Sequence, residues 1–528
     1  MAGLVVLFVE SPAQEITPSA LTIFRYGNGR SGYATQTSTV GYTEGLTDIR
    51  IGLPRNIAVG VRFLYDEPPE IGPRFKGISR RWVEYAQDGI SVRAGNSSEL
   101  FGRGLALNLF EDRGLGYDTW LDGVKAGYTT SFVRATLVAG QIAFWDSIVV
   151  ARTEEYTLHG GNIELLPARW LVIGTGFIAA DGTIPQPGIT QSLHAEIPEV
   201  YGIVRCGPVD AFVGWSGKWT NIPTESATST GSGVYGALSW SAAMAGVTID
   251  YKNYRYDIRD PLGAFDATRP SRMLPFQNPP TVQREYSSTF LTRQLHQVDF
   301  NDEVGLQAEA TIAPDDAMHV TVNASLASRH CAYAYRPATF DFVREDRSWS
   351  GLPSTDDALS PYHEFFLEGE QVFDNGTVLR LAVARREAVL AVRYGGSVND
   401  HVMGSTVIPL HVTVPVVDAL TLQADIEQEW VNDNYNVARE RFSNTLVGIT
   451  LTQAPTVSLS GRVEVTSNPS DLSGRKAWFA GEVGYRIAGR HSIVVTCGQE
   501  RGGQVCMNGV CRYVRPFNGV RVLIQSIL

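Results

Sequence analysis

The 528-residue sequence lacks any apolar run that approaches the ~18 residues of a membrane-spanning helix. It also lacks a basic excess, because 44 Lys and Arg stand against 55 Asp and Glu. The resulting net charge of −11 excludes the basic face that nucleic-acid phosphates require, so no nucleic acid is expected as a partner. Lysine is scarce, and arginine supplies most of the positive charge. Arginine keeps its charge and its five donors in confined polar spaces, so it suits the crowded polar lumen of a pore. The composition of the genome would explain the scarcity of lysine equally well.

Catalytic signatures are absent as well. The run Gly214-Trp215-Ser216-Gly217 lacks the second variable residue of a nucleophile elbow, and no phosphate-binding P-loop occurs. The nine histidines are scattered without the spacing of metal ligands. We therefore expect neither an enzyme nor a protein with a metal or cofactor.

What the sequence does contain is alternating polarity in segments of about ten residues. The clearest example runs through Val457, Leu459, Gly461, Val463 and Val465, with Ser458, Ser460, Arg462 and Glu464 between them. Period-2 alternation places one strand face in an apolar medium and the other among polar groups. At a tilt of ~45°, a strand of about ten residues spans the hydrocarbon of a bilayer. The pattern predicts an all-β fold, a large antiparallel transmembrane β-barrel.

Short turns between these segments set the expected strand number. The turns are Leu53–Asn56, Gln87–Gly89, Thr129–Ser131, Leu166–Arg169, Cys206–Val209, Ser241–Ala243, Ala313–Asp316, Asp374–Gly376, Val416–Ala419, Gln453–Pro455 and Ile487–Gly489. Eleven hairpins and two end strands, Leu21–Arg25 and Phe517–Leu528, predict 20–24 strands. Long polar loops alternate with the turns, which is typical of an outer-membrane barrel with periplasmic turns and extracellular loops. We expect residues 14–528 to form this single domain in the outer membrane of a Gram-negative bacterium.

The N-terminus and the cysteines both bear on export. Residues 1–13 hold an apolar run followed by Ser11-Pro12-Ala13, which predicts a truncated signal peptide; the missing basic start also allows a segment that is not a signal. Cys506 and Cys511 flank Met507-Asn508-Gly509-Val510, a type I′ hairpin sequence that would place them directly opposite each other. We predict a disulfide there, with two independent thiols or a metal pair as alternatives.

Two regions, 95–123 and 257–297, interrupt the strand rhythm with glycine and with proline, respectively. Long irregular segments in a compact protein are usually functional or disordered, and a barrel of this width needs filling. One hypothesis folds them inward, with a constriction formed by Arg103, Glu111, Asp112 and Arg113. The alternative makes the glycines bulges and tight bends at the barrel rim.

The polar strand faces predict a charged lumen. Its expected charged residues are Glu309, Glu368, Glu370, Arg380, Asp425, Glu427, Arg462, Glu464 and Glu482. An excess of carboxylates in a narrow pore favours cations. The alternative is that these residues form cross-strand salt bridges that brace the wall.

Several short segments resemble an uncharacterised family of outer-membrane β-barrel proteins from the Bacteroidetes–Chlorobi group. They include Arg25–Gly29, Phe101–Leu105, Arg113–Asp118, Asn278–Thr281 and Cys511–Val514. The resemblance implies a lipid-embedded barrel. It implies no functional residue, because the family has no assigned substrate.

The sequence thus favours a porin-like channel for small solutes, with outer-membrane lipid around it and unknown protein partners. The alternative is a structural or secretion-associated barrel that docks partners through its loops without transport. A soluble propeller or sandwich would instead bury the apolar faces against protein and stay in solution without detergent.

Overall fold

The computed structural model describes residues 16–33, 36–146, 152–186, 189–223, 228–258, 274–293, 296–339, 341–391, 400–436, 438–507 and 510–528. Its main sheet contains 24 strands, and every neighbouring pair is antiparallel. The sheet closes because β1 (Thr17–Tyr33) pairs with β32 (Phe517–Ile527) as well as with β2 (Gln36–Leu53). The prediction of a large antiparallel transmembrane barrel of 20–24 strands is confirmed, at its upper limit.

The remaining barrel strands follow one another around the wall. They are β3 Ile57–Asp66, β4 Phe75–Gln87, β5 Ile90–Ser97, β10 Leu121–Thr129, β11 Val133–Asp146, β12 Arg152–Ala168, β13 Leu171–Gln186, β14 Ile189–Cys206, β15 Val209–Asn221, β16 Ser229–Ser241, β17 Ala245–Arg255, β18 Glu303–Asp315, β19 Met318–Ser328, β22 Tyr362–Val372, β23 Val378–Ala391, β24 His401–Val417, β25 Leu420–Asp433, β26 Arg441–Gln453, β27 Val457–Thr466, β28 Ala477–Ile487 and β29 His491–Glu500.

Short elements lie in the connections between barrel strands. They are the strands β6 Leu100–Phe101, β7 Leu107–Asn108, β8 Glu111–Asp112, β9 Tyr117–Asp118, β20 Cys331–Arg336, β21 Asp341–Asp346, β30 Gly503–Met507 and β31 Val510–Val514, the helix α1 Thr289–Arg293, and the 3₁₀ turns Gly102–Gly104 and Asp357–Leu359. Within the described ranges, no helix has the length and apolar character of a membrane span.

All eleven predicted turns connect neighbouring barrel strands, and they lie together at one end of the barrel, here called the turn end. The opposite loop end is more varied than predicted. Its longest connection joins β17 to β18, whereas β1 and β13 are each followed by the next strand after two residues. A two-residue connection is enough to reverse an antiparallel pair, so only some loops at this end need to be long.

The wall shows the two faces that the alternation predicts. On one face the large apolar side chains are exposed, for example Leu137, Ile163, Phe177, Ile449 and Phe479. Neighbouring positions in the same strands point the other way, and many of them are buried under internal segments. None of the described residues covers these apolar side chains, so a hydrocarbon environment is what removes them from water.

Candidate functional site

The lumen is occupied by parts of the two long connections that interrupt the strand rhythm. In the first, the stretch Phe101–Leu109 (here the apolar stretch) contributes five fully buried or nearly buried apolar side chains, including those of Leu107 and Leu109. Four of them pack in one cluster with inward wall residues such as Tyr156 and Ile178, and with Leu274 and Phe276 of the second connection. The fifth, Leu105, packs in a neighbouring cluster.

Backbone geometry fits this stretch closely to its neighbours. The amide of Asn108 donates to the carbonyl of Phe276 at 2.7 Å, and Gln277 Nε2 donates to the carbonyl of Leu105 at 2.8 Å. Gly102 has φ of 51°, and a Cβ there would overlap the carboxylate of Glu199. Glycine is therefore required for both its conformation and its lack of a side chain.

A charged network follows the apolar stretch. Glu111 accepts a hydrogen bond from Arg62, a residue of β3, at a distance of 2.5 Å. The carboxylate also lies 3.7 Å from Arg80, a residue of β4. Arg113 contacts Glu44 at 3.1 Å on β2 and lies 3.6 Å from Glu111 itself. Burial opposes ionisation of Glu111, but the guanidinium groups of Arg62 and Arg80 outweigh it and hold its pKa below the usual value.

The four residues of the predicted constriction are only partly brought together. Glu111 and Arg113 share the network, whereas Asp112 accepts a hydrogen bond from the amide of Leu115 at 2.9 Å within its own turn. Arg103 is held elsewhere, with its guanidinium 4.5 Å from the ring centre of Phe212. The arrangement ties one connection to several wall strands, and its role as a constriction stays a prediction.

The second connection carries α1, which the wall holds through charged side chains. Glu427 on β25 accepts hydrogen bonds from the amides of Thr289 and Phe290, each at 2.8 Å. Arg386 on β23 donates to the carbonyl of Phe290 at 2.6 Å and to that of Leu291 at 2.8 Å. The two wall residues therefore bind both the donors and the acceptors that a five-residue helix leaves free.

Further ion pairs secure the segment around α1. Arg293 pairs with Glu464 on β27, which also accepts from Arg501 at 3.0 Å. Arg284 pairs with Glu309 on β18. Of the predicted lumen charges, Glu309, Glu427 and Glu464 thus contact an internal segment or a connecting loop, and Glu309 also accepts a hydrogen bond from Asn323 on β19 at 3.3 Å.

The other predicted lumen charges lie closer to the turn end. Glu370 and Arg380 form a cross-strand pair, with Arg380 Nε 2.8 Å from the carboxylate.

Asp425 accepts a hydrogen bond from His411 at 2.6 Å, and Glu482 accepts one from Thr496 at 2.9 Å. Arg462 is half exposed and 3.7 Å from Glu500. Glu368 projects from the same face as Glu370. The inner face therefore contains both kinds of residue that the sequence allowed. Glu370 and Arg380 brace the wall as a pair, whereas Glu368, Asp425 and Glu482 have no arginine partner among the described ion pairs.

The side chains of Cys506 and Cys511, which form the predicted disulfide, lie outside the described part of the structure. The backbone register places Cys506 opposite Cys511 in the β30–β31 hairpin, as the spacing predicts, and the disulfide itself stays a prediction. Cys206, Cys331 and Cys497 are free thiols. The predicted signal peptide, 1–13, also lies outside the described residues. Among described side chains, no group of three His, Cys, Asp or Glu is placed to hold a metal ion.

Several site residues were not found from the sequence. Arg386 follows the same alternation as Arg380, so the strand pattern contains the signal for its inward position. Lys252 on β17 forms a buried pair with Glu303 at the loop end, and no local pattern indicates that pairing. The helix α1 is too short for its hydrophobic period to stand out in the sequence.

A closed antiparallel barrel with an apolar exterior and an occupied lumen defines the class of this protein: a transmembrane β-barrel. Residues 49–177 match the model of a family of unknown function, DUF6029. No curated protein matches the chain.

Solved structures of large barrels align with most of the chain at low identity. The siderophore receptor PirA from Pseudomonas aeruginosa is 9% identical with a TM-score of 0.46, over 98% of this chain and 81% of that chain. The P pilus usher (PapC) translocation pore is 10% identical with a TM-score of 0.43, over 96% and 99%. The copper transporter OprC is 10% identical with a TM-score of 0.45, over 97% and 80%. At these values the likeness carries no argument about function.

Proposed function

We propose that this protein is an outer-membrane channel for small solutes whose lumen is occluded by its own internal segments until they move. The carrying observation is the way the wall holds α1, through Glu427 and Arg386. If Glu427 and Arg386 served only to brace the wall, their partners would all lie on neighbouring strands. They bind the backbone of a five-residue helix, which indicates that their role is to hold that helix. The porin-like activity thus requires a displacement of the segment that carries α1.

The charge near the turn end supports a preference for cations. Glu368, Asp425 and Glu482 form no ion pair with an arginine among the described contacts, and they lie on the inner faces of β22, β25 and β28, nearer the turn end than Glu427. Carboxylates without an arginine partner raise the local concentration of cations in a lumen. A reversal potential in a KCl gradient that indicates anion preference would contradict this assignment.

The main test is the conductance of the purified, refolded protein in a planar bilayer. The wild-type protein should be mostly closed, because α1 is anchored. Glu427→Ala removes the acceptor of two amide hydrogen bonds and should produce large, frequent openings. The matched control is Glu370→Ala, which removes a carboxylate from the same wall face nearer the turn end and should leave the closed state unchanged.

A second function, docking of a partner protein without transport, has one observation in its favour. The connection between β19 and β22 exposes Trp349 to 63% and Leu352 to 43% at the loop end. Large exposed aromatic residues are enriched at protein interfaces. A silent bilayer for both wild type and Glu427→Ala, with insertion verified by protease protection, would overturn the channel and favour docking.

A further inference from the structure

A cavity of about 490 Å³ lies beside α1, on the side facing the loop end. Its walls are contributed by α1, by the inward faces of β22 to β26 and by the connections that follow β27 and β29. The volume falls within the range of ~300–1,000 Å³ that is usual for small-molecule sites. The proposal made here rests on the proposed channel function, since the cavity lies on the path from the loop end into the lumen.

The cavity combines apolar walls with charged groups. Phe290, Tyr362, Met403 and Phe442 supply the apolar surface. Three arginines also reach it, but each is already engaged. Arg293 pairs with Glu464, Arg386 binds helix carbonyls and Ser405, and Arg501 binds Asp471 and Glu464.

Glu429 is the polar group that remains incompletely bound. The residue is 2% exposed, and its Oε2 accepts a hydrogen bond from Asn444 at 2.7 Å. Its Oε1 has no hydrogen-bond partner among the described residues, and the Arg386 guanidinium lies 3.9 Å away. A buried carboxylate oxygen without a donor costs free energy, so the site is completed by a ligand that supplies one.

We infer that this cavity binds a small amphipathic amine, whose ammonium group donates to Glu429 Oε1 while its apolar body packs against Phe290, Tyr362 and Phe442. An ammonium ion has three donors and a charge opposite to that of the carboxylate. A carboxylate ligand would instead have to displace an existing partner from Arg386 or Arg501. The cavity therefore selects amines over acids of equal size.

The test uses the detergent-solubilised full chain and two fluorinated probes, 4-fluorophenethylamine and 3-(4-fluorophenyl)propionate, with binding followed by ligand-observed fluorine NMR. The amine should broaden and shift on addition of protein, and the acid should not. Glu429→Gln keeps an acceptor for Asn444 but directs an amide donor into the cavity, and it should weaken amine binding about 10-fold or more. Equal binding of the acid, or undiminished binding to Glu429→Gln, would overturn the inference.

Two further variants separate the site from a general charge effect or a folding defect. Asp433 lies in the same cavity, and its carboxylate is already paired with His401 at 2.9 Å. Asp433→Asn removes this charge, and amine binding should change less than about 2-fold. Met403→Trp fills the cavity from another wall and should reduce amine binding while Glu429 stays intact. A large loss with Asp433→Asn, or none with Met403→Trp, would count against the site.

The outcomes also separate this inference from the proposed channel. If Glu427→Ala opens the barrel but the amine does not bind, the channel stands and the amine site fails. If the amine binds at Glu429 while wild type and Glu427→Ala stay silent in bilayers, the site stands and the channel fails.

Discussion

The apolar stretch Phe101–Leu109 and the helix α1 both pack against the inner wall, and they differ in what attaches them. The apolar stretch buries Leu105 and Leu107 completely, in clusters with inward wall residues. The helix buries Phe290 and Leu291 too, but its backbone is bound by Glu427 and Arg386. Apolar burial depends little on salt or pH, whereas charged anchors respond to both.

Under the proposed function, this difference gives the two segments separate tasks. Burying a Leu or Phe side chain contributes ~1.5–3 kcal/mol, so several such side chains make the apolar stretch a permanent part of the wall. The helix depends on few groups, and a competing ion or ligand has only those groups to displace. The segment that carries α1 is therefore the one suited to move.

The largest expected effect comes from breaking the charged anchor. Arg386→Met leaves the carbonyls of Phe290 and Leu291 without their donor and should destabilise the attached helix by ~3–5 kcal/mol, as for other buried charged contacts. Hydrogen exchange of the α1 amides, measured by mass spectrometry in micelles, should accelerate by about two or three orders of magnitude, while the apolar stretch keeps its protection.

Arg380→Met serves as the control for that variant, since it removes a wall arginine that pairs with Glu370 away from α1. Faster exchange in the apolar stretch of Arg386→Met would contradict the comparison, because the two segments would then open as one unit.

The converse variant weakens the apolar anchor. Leu107→Ala leaves a cavity in the cluster with Tyr156 and Ile178 and should cost ~2–5 kcal/mol of local stability. Exchange should accelerate in the apolar stretch and stay unchanged in α1. Leu100→Ala, at a position 54% exposed, is the matched control with little expected effect. A matching loss of protection in α1 would show that the helix depends on the apolar cluster.

Acid should release the charged network while leaving the apolar stretch in place. The pKa of Glu111 is held below its usual value, so its stabilising contribution is present above the ordinary pKa of ~4.3 and is lost as the pH falls through the lower folded value. Protection of residues 111–118 should decline below about pH 4, after correction for intrinsic exchange rates. Glu111→Gln should remove this pH dependence, and a decline that persists in that variant would have another origin.

The smallest expected effect is that of salt. Raising NaCl from 0.1 M to 1 M shortens the screening length from ~10 Å to ~3 Å, which weakens partly exposed pairs such as Arg293 with Glu464. Exchange of the α1 amides should rise a few-fold, and exchange at Leu105–Leu109 should not. An equal rise at both sites would remove the distinction between the two attachments.

Much of the wall was predictable because its rules are local. Strict alternation and short turns located all eleven hairpins of the turn end, and the two end strands raised the number to 24. The same alternation placed Glu309, Glu427 and Glu464 on the inner face. Their partners were not predictable, because Arg284 and Arg293 lie in the connection between β17 and β18, whose path depends on contacts across the lumen.

The sequence by itself determined the barrel, since a two-residue period and a polar turn dictate which side chain faces lipid at each position. The tertiary structure alone decided what fills the barrel. The partner of Glu427 is the backbone of α1, which lies more than a hundred residues away along the chain. Such a contact forms only after closure of the wall brings distant strands around one space, and no local pattern encodes it.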